Sequence, residues 1–220
     1  MAGLDGVESL TSRFDVSRET LSRLSIYAEL VRKWQKSQNL VAPSTLPVLW
    51  ERHIADSFQV HALRLEVSDW LDIGSGAGFP GLVTAIALAD RPGARVRLVE
   101  SNSGKAAFLR TVARETGAPA EVICERIEKA IPRIVSAPPQ AISARALASL
   151  AALLDLVEPL TALNVPCVFH KGQDFASELR EATLSWDIDL IQHSSKVNSE
   201  GVLVDISRAV RRPKLSQIGA

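Results

Sequence analysis

The stretch Trp70-Leu71-Asp72-Ile73-Gly74-Ser75-Gly76-Ala77-Gly78-Phe79-Pro80-Gly81 decides the fold. An apolar run closes on an acid, a glycine-rich turn follows, and small and apolar residues from Leu82 to Ala89 continue as a helix. Glycine takes positive φ and lets a ligand approach the backbone, and the helix start beyond it offers unpaired N–H groups. A strand, turn and helix of this kind make a cofactor-binding corner. The glycines stand at 74, 76 and 78, whereas the dinucleotide fingerprint puts its third glycine where Phe79 stands. A tight strand-to-helix turn without a ligand is the plainer alternative for these residues.

Downstream, Arg95 to Glu100 is a second strand, again ending in an acid, where a doubly wound sheet places the group that holds a ribose. A helix ending at Gly117 leads to a third strand, Ala120 to Cys124. Glu125-Arg126-Ile127-Glu128 then forms the edge where an adenine would lie. Ala141 to Ala144 is a fourth strand ending at Arg145, and Val165 to His170 a fifth, with Lys171-Gly172 as its exit turn. Trp186 to Gln192 and Gly201 to Ile206 alternate as an antiparallel closing pair. The expected fold is α/β: a doubly wound, Rossmann-like sheet, mostly parallel with an antiparallel closing strand, plus an N-terminal helical extension. Residues 1–66 form that extension and 67–220 one compact core, with ligand at the carboxyl ends of the strands.

In the extension, Ser17 is an N-cap, and Leu21, Leu24, Ala28, Val31 and Trp34 recur at the spacing of one helix face. Pro47 fits the first turn of a second helix running to about Leu65. On it Ile54, Phe58 and Leu65 face one way, while Arg52 and Asp56 lie opposite as an i,i+4 pair.

The 25 basic and 25 acidic residues cancel, so contact with nucleic acid must come from a local patch. Arg32, Lys33 and Lys36, Arg110 and Arg114, and the tail residues Arg208, Arg211, Arg212 and Lys214 are the available groups. No apolar run is long enough to span a bilayer, and a cytoplasmic protein without a signal segment is expected. Cys124 and Cys167 sit in strand-like runs without metal-ligand spacing and read as buried structural thiols. No metal is expected.

An acid before G-x-G-x-G with a second strand ending in Glu100 resembles the S-adenosylmethionine-dependent methyltransferases. A closer resemblance rests on a set of motifs: Trp34-x-x-x-x-Asn39-Leu40, Arg52-His53-x-x-Asp56-Ser57, the glycine stretch through Phe79-Pro80-Gly81, Glu100-Ser101 with Lys105, Ser143-Ala144-Arg145-Ala146, and Lys171-Gly172. Together, from about residue 30 to 205, these resemble the bacterial small-subunit rRNA guanine-N7 methyltransferase family, also called glucose-inhibited division protein B. The resemblance implies methyl transfer from S-adenosylmethionine to N7 of a guanine in the decoding region of small-subunit rRNA. The partner is then small-subunit rRNA or the ribosomal subunit, and the enzyme is expected to act as a monomer.

Around the cofactor the reading puts Asp72, Gly74, Ser75, Gly76, Gly78, Phe79, Glu100, Arg126, Ile127, Glu128 and Arg145. Arg145 and Lys171, with Arg52, His53 and Asp56, are expected to position substrate. No general base is expected, because guanine N7 attacks through a lone pair and loses no proton. An S-adenosylmethionine-dependent methyltransferase of another RNA or of a small molecule, a nicotinamide-dependent oxidoreductase and a non-catalytic RNA-binding protein remain as other readings of the same residues.

Overall fold

The structure is a computed structural model and describes residues 6–213. A short helix α1 (Val7–Thr11) precedes the long α2 (Arg18–Gln38), whose first turn is capped by Ser17 Oγ accepting from the Thr20 amide at 3.1 Å. Asn39, in the left-handed region at φ 47°, ends it. The buried stripe of α2 is the one the spacing predicts, with Leu24, Ala28 and Val31 sealed and Leu21 and Trp34 at its margin.

The second helix of the extension differs from expectation. It opens as a 3-10 turn (Pro43–Val48), widens into a π turn (Trp50–Ala55), and becomes regular only at α3 (Asp56–Leu63). Leu65 lies past its end and is 57% exposed, while Ile54 and Phe58 are buried. Irregular turns of this type recur at functional sites, and this one carries Arg52 and His53.

The core alternates β1 (Asp69–Ile73), α4 (Gly81–Ala87), β2 (Arg95–Val99), α5 (Ser103–Thr116), β3 (Ala120–Ile123), α6 (Ile127–Ile134), β4 (Ala141–Arg145), α7 (Leu150–Thr161), β5 (Cys167–Lys171) and α8 (Phe175–Ser185). β6 (Trp186–Ser194) and β7 (Val202–Arg211) close the sheet in the order β3-β2-β1-β4-β5-β7-β6. The pairs among β1 to β5 are parallel, and β7 runs antiparallel to both its neighbours.

Period-two alternation divides each strand between two cores. Trp70 joins one apolar cluster with α2 to α5, whereas Leu71 and Ile73 join another with α6 to α8. Asp72 therefore faces the same side as Trp70. Its register partner on β4 is Ser143, so the two side chains meet on that face.

β7 extends to Arg211, beyond the Ile206 expected, so Arg208 and Arg211 of the basic tail are part of the sheet. Arg208 pairs with Asp187 and Asp189, and Arg211 with Asp155 and Glu158. Arg114 is paired with Glu115. These three are committed to carboxylates and drop out of the expected RNA-facing set; Lys214 lies outside the described residues.

Candidate active site

The glycine turn rises from β1 in left-handed backbone, with Gly74 at φ 64° and Gly76 at φ 56°. A side chain on Gly74 would press into Leu147, and the Gly76 amide donates to Glu100 Oε2 at 2.8 Å. The other Glu100 oxygen accepts from the Asn102 amide at 2.7 Å. One carboxylate thus ties the first turn to the start of α5 and keeps spare lone pairs for a ligand. Within the turn, the amides of Ser75 and Gly78 are spent on Val99 and Ser75 carbonyls. With those of Gly76 and Leu82 also taken, this corner offers few donors to a pyrophosphate.

Above the turn lies a cavity of about 610 Å³, within the roughly 300–1,000 Å³ typical of ligand sites. Gly74, Ser75, Gly76, Phe79 and Glu100 line one side. Arg126, Ile127 and Glu128, at the first turn of α6, and Arg145 line the other. Helix starts present amides without intrahelical partners, so the α6 end can meet the edge of an adenine while Glu100 faces the ribose. The carboxylate, the bare turn and the open helix start fit an adenosine-bearing cation such as S-adenosylmethionine.

Two expected contacts are corrected. Asp72 does not line the cavity: it is fully buried, Oδ1 accepts from Ser143 Oγ at 2.6 Å, and Oδ2 lies against Gly81. Burial lifts its carboxyl to about 6 despite the Ser143 hydroxyl. Asp72 supports the glycine turn from beneath. Gly78 also lies off the cavity wall, with its missing side chain making room for Leu82.

A second cavity, of about 360 Å³, shares His53, Arg145 and Ala146 with the first. Arg145 closes β4 with its side chain 16% exposed. Its Nη1 donates to Asp56 Oδ2 at 3.1 Å and to the Arg52 carbonyl at 3.3 Å, and Nη2 meets His53 Nδ1 at 2.6 Å. The guanidinium lies 5.1 Å from the Phe79 ring centre, on which His53 also stacks at 5.0 Å. Because arginine only donates, His53 Nδ1 is the acceptor and Nε2–H donates to Thr45 Oγ1 at 2.8 Å. Burial, reinforced by Arg145, pushes the imidazole down to about 3, so it is neutral. The exposed Arg52–Asp56 ion pair expected from spacing is replaced by the less exposed Arg145–Asp56 pair.

Asp56 is itself fixed: Oδ1 accepts from Gln59 Nε2 at 3.1 Å and Ser195 Oγ at 3.4 Å, which fastens the β6–β7 loop to α3. Lys171 differs from expectation as a free substrate contact. It borders the second cavity, yet its ammonium binds Glu178 at 2.5 Å and the Ala148 carbonyl at 2.7 Å, with the side chain 5% exposed. It holds the loop after β4 against α8. Thr45, Gln59, Ser143, Glu178 and Ser195 were not anticipated as parts of the site. Ser143, two residues before Arg145 on the face of Asp72, is the one whose strand pattern could have identified it.

The family model described as GidB, rRNA small subunit methyltransferase G, matches residues 20–204. A Brucella ovis protein named ribosomal RNA small subunit methyltransferase G is 47% identical over 197 residues, covering 90% of this chain and 92% of that protein. A Brucella melitensis biotype 1 protein of the same name matches with the same identity and coverage. Among solved structures, the O-methyltransferase TomG from Streptomyces achromogenes in complex with SAM aligns with a TM-score of 0.62 at 15% identity, covering 93% of this chain and 96% of that one. Cofactor-bound Rv0187 from MTB aligns at 0.59 and 14% identity, covering 92% and 94%. The structural likeness is one of fold; the sequence matches identify the family, and the chain belongs to GidB, the rRNA small subunit methyltransferase G family.

Proposed function

We propose that the chain transfers a methyl group from S-adenosylmethionine to N7 of a guanine in the decoding region of small-subunit rRNA. One observation carries the choice of atom. Among the described residues the side chains that line both cavities are those of His53, Arg145 and Ala146, and none is placed to take a proton: His53 Nδ1 accepts from Arg145, its Nε2–H is spent on Thr45, and arginine only donates. Methylation at a hydroxyl or an exocyclic amine releases a proton that a base must remove. Guanine N7 has none to lose.

When bound, S-adenosylmethionine supplies a sulfonium methyl whose carbon accepts an attacking lone pair while sulfur keeps the bonding pair. The chain's own contribution is alignment, worth up to roughly 7–11 kcal/mol in favourable cases. Glu100 holds the ribose, the first turn of α6 meets the adenine, and Arg145, braced by His53 and Phe79, stands where donor and base meet. We take the extension as part of this substrate side of one compact unit, acting as a monomer in the cytoplasm.

RNA phosphates would track the exposed Arg32, Lys33 and Lys36, none of which has a carboxylate within 4 Å among the described residues, together with Lys105 at the cavity rim. Gln38 of α2 abuts Gly104 of α5, so the basic end of α2 adjoins Lys105. The test is transfer of labelled methyl to small-subunit RNA, followed by nucleoside mass spectrometry. Label recovered as 7-methylguanosine is expected; label on another atom, or no transfer to subunits or purified rRNA, overturns the proposal.

A further inference from the structure

The second cavity is walled by the π turn before α3, the end of β5 and the β6–β7 loop, and it opens toward the first only beside His53, Arg145 and Ala146. At that opening stands an incomplete donor set. Three of the five N–H groups of Arg145 are used, two on Nη1 and one on Nη2. Nε–H and the remaining Nη2 hydrogen have no partner among the described residues. Next to them, Asp56 Oδ2 accepts from Arg145 and retains lone-pair capacity. The guanidinium that carries these spare donors is held to the carboxylate through Nη1, 3.1 Å from Oδ2, so donor and acceptor are fixed side by side on the wall of the second cavity.

We propose that this cavity receives the target guanine swung out of its RNA, with Arg145 donating to O6 and Asp56 accepting from N1–H. Guanine presents acceptor then donor along that edge, which complements the pair. Adenine presents its amino group and an unprotonated N1, the reverse polarity, and meets donor against donor and acceptor against acceptor. O6 neighbours N7 on the base, so a hydrogen bond to O6 directs N7 toward the shared opening.

Arg145 makes one bond to O6 and leaves N7 alone, because a second bond to N7 would occupy the lone pair that attacks the methyl carbon. The new N7–carbon bond forms as the sulfur–carbon bond breaks, its electron pair stays on sulfur, and the positive charge passes to the purine without release of a proton. A base stacked in a duplex cannot reach such a pocket, and extrusion costs least where it is already unpaired. The β6–β7 loop, tied to Gln59 through Ser195 and the Lys196 amide, supplies Ser195, Asn198 and Gly201 to the cavity wall.

This inference rests on the guanine-N7 reading, and its test separates the two. Small-subunit RNA is prepared with the methylated guanine replaced by inosine, which keeps O6 and N1–H, or by 2-aminopurine, which lacks both. Single-turnover rates are divided by the reactivity of each N7 toward a small alkylating agent. Inosine is expected within about fivefold of guanine and 2-aminopurine about 100-fold slower. Equal normalised rates for 2-aminopurine and guanine overturn the pocket, whereas failure to methylate the natural RNA overturns the guanine-N7 reading itself. In Asp56→Asn the inosine to 2-aminopurine ratio should fall but stay above one, because the Arg145–O6 contact alone still discriminates, while S-adenosylmethionine binding measured by calorimetry persists. A ratio unchanged from wild type refutes the role of Asp56.

Discussion

Glu100→Gln separates the two tasks assigned to one carboxylate. In the wild type its oxygens accept from the Gly76 and Asn102 amides at 2.8 and 2.7 Å, with the residue 9% exposed. Glutamine offers one carbonyl and one amino group, so one of the two backbone donors must face another donor. Loss of a hydrogen bond to a charged group costs about 1.5–3 kcal/mol. At about 2 kcal/mol, a domain of this size should lose roughly 4–8 °C in melting temperature. The same neutralisation removes charge-assisted acceptance from the ribose hydroxyls, and calorimetry should show S-adenosylmethionine binding weakened about ten- to a hundredfold. A lowered melting temperature with affinity unchanged within twofold would show that Glu100 only ties the loop. Unchanged stability would refute the tie itself.

Gly81→Ala places a methyl group 2.5 Å from Leu98 Cδ2 and 2.6 Å from Asp72 Oδ2, and should destabilise by about 1–3 kcal/mol in urea unfolding. A variant within about 0.5 kcal/mol of wild type would contradict the packing of Asp72 under the turn. The Asp72 carboxyl, raised from its ordinary 3.8 to about 6 by burial, favours the fold below pH 4, and that contribution is lost as pH rises through 6. The shift corresponds to about 3 kcal/mol, so the stability difference between wild type and Asp72→Asn should move by about that much, to the disadvantage of wild type, between pH 4 and pH 7. A pH-independent difference refutes the burial argument. Lys171→Met removes the cation from Glu178, which is 23% exposed and still accepts from the Leu150 amide, and should cost about 1.5–3 kcal/mol of stability. Intact stability with weakened rRNA binding would restore Lys171 to the substrate side.

The strands and the glycine corner were legible because short apolar runs bounded by Gly, Pro and acids have few other solutions. The reading that placed Asp72 on the cofactor used its position at the end of β1 and neglected alternation, which puts it with Trp70 on the inner face. The π turn was illegible: over the six residues from Trp50 to Ala55 a wider helical period is indistinguishable from the ordinary one. The run from Ser207 to Arg212 looked like a solvated basic tail because its partners, Asp187, Asp189, Asp155 and Glu158, are brought to it only by the closed sheet. The bulge between Asp189 and Leu190 also breaks the alternation that would have lengthened the hairpin. Arg145 was legible as a charge ending an apolar strand. Its partners were not, since a guanidinium joining Asp56, the Arg52 carbonyl and His53 across about 90 residues of chain leaves no local pattern.

The central claim is that the corner after β1, the end of β2 and the start of α6 form one cradle whose open end meets Arg145. A crystal structure with S-adenosylhomocysteine tests it most directly. The ribose hydroxyls are predicted against Glu100, the adenine against Ile127 and Glu128, and the sulfur facing the opening beside Arg145 and His53. A ribose bound away from Glu100, or a sulfur turned from that opening, would contradict the account.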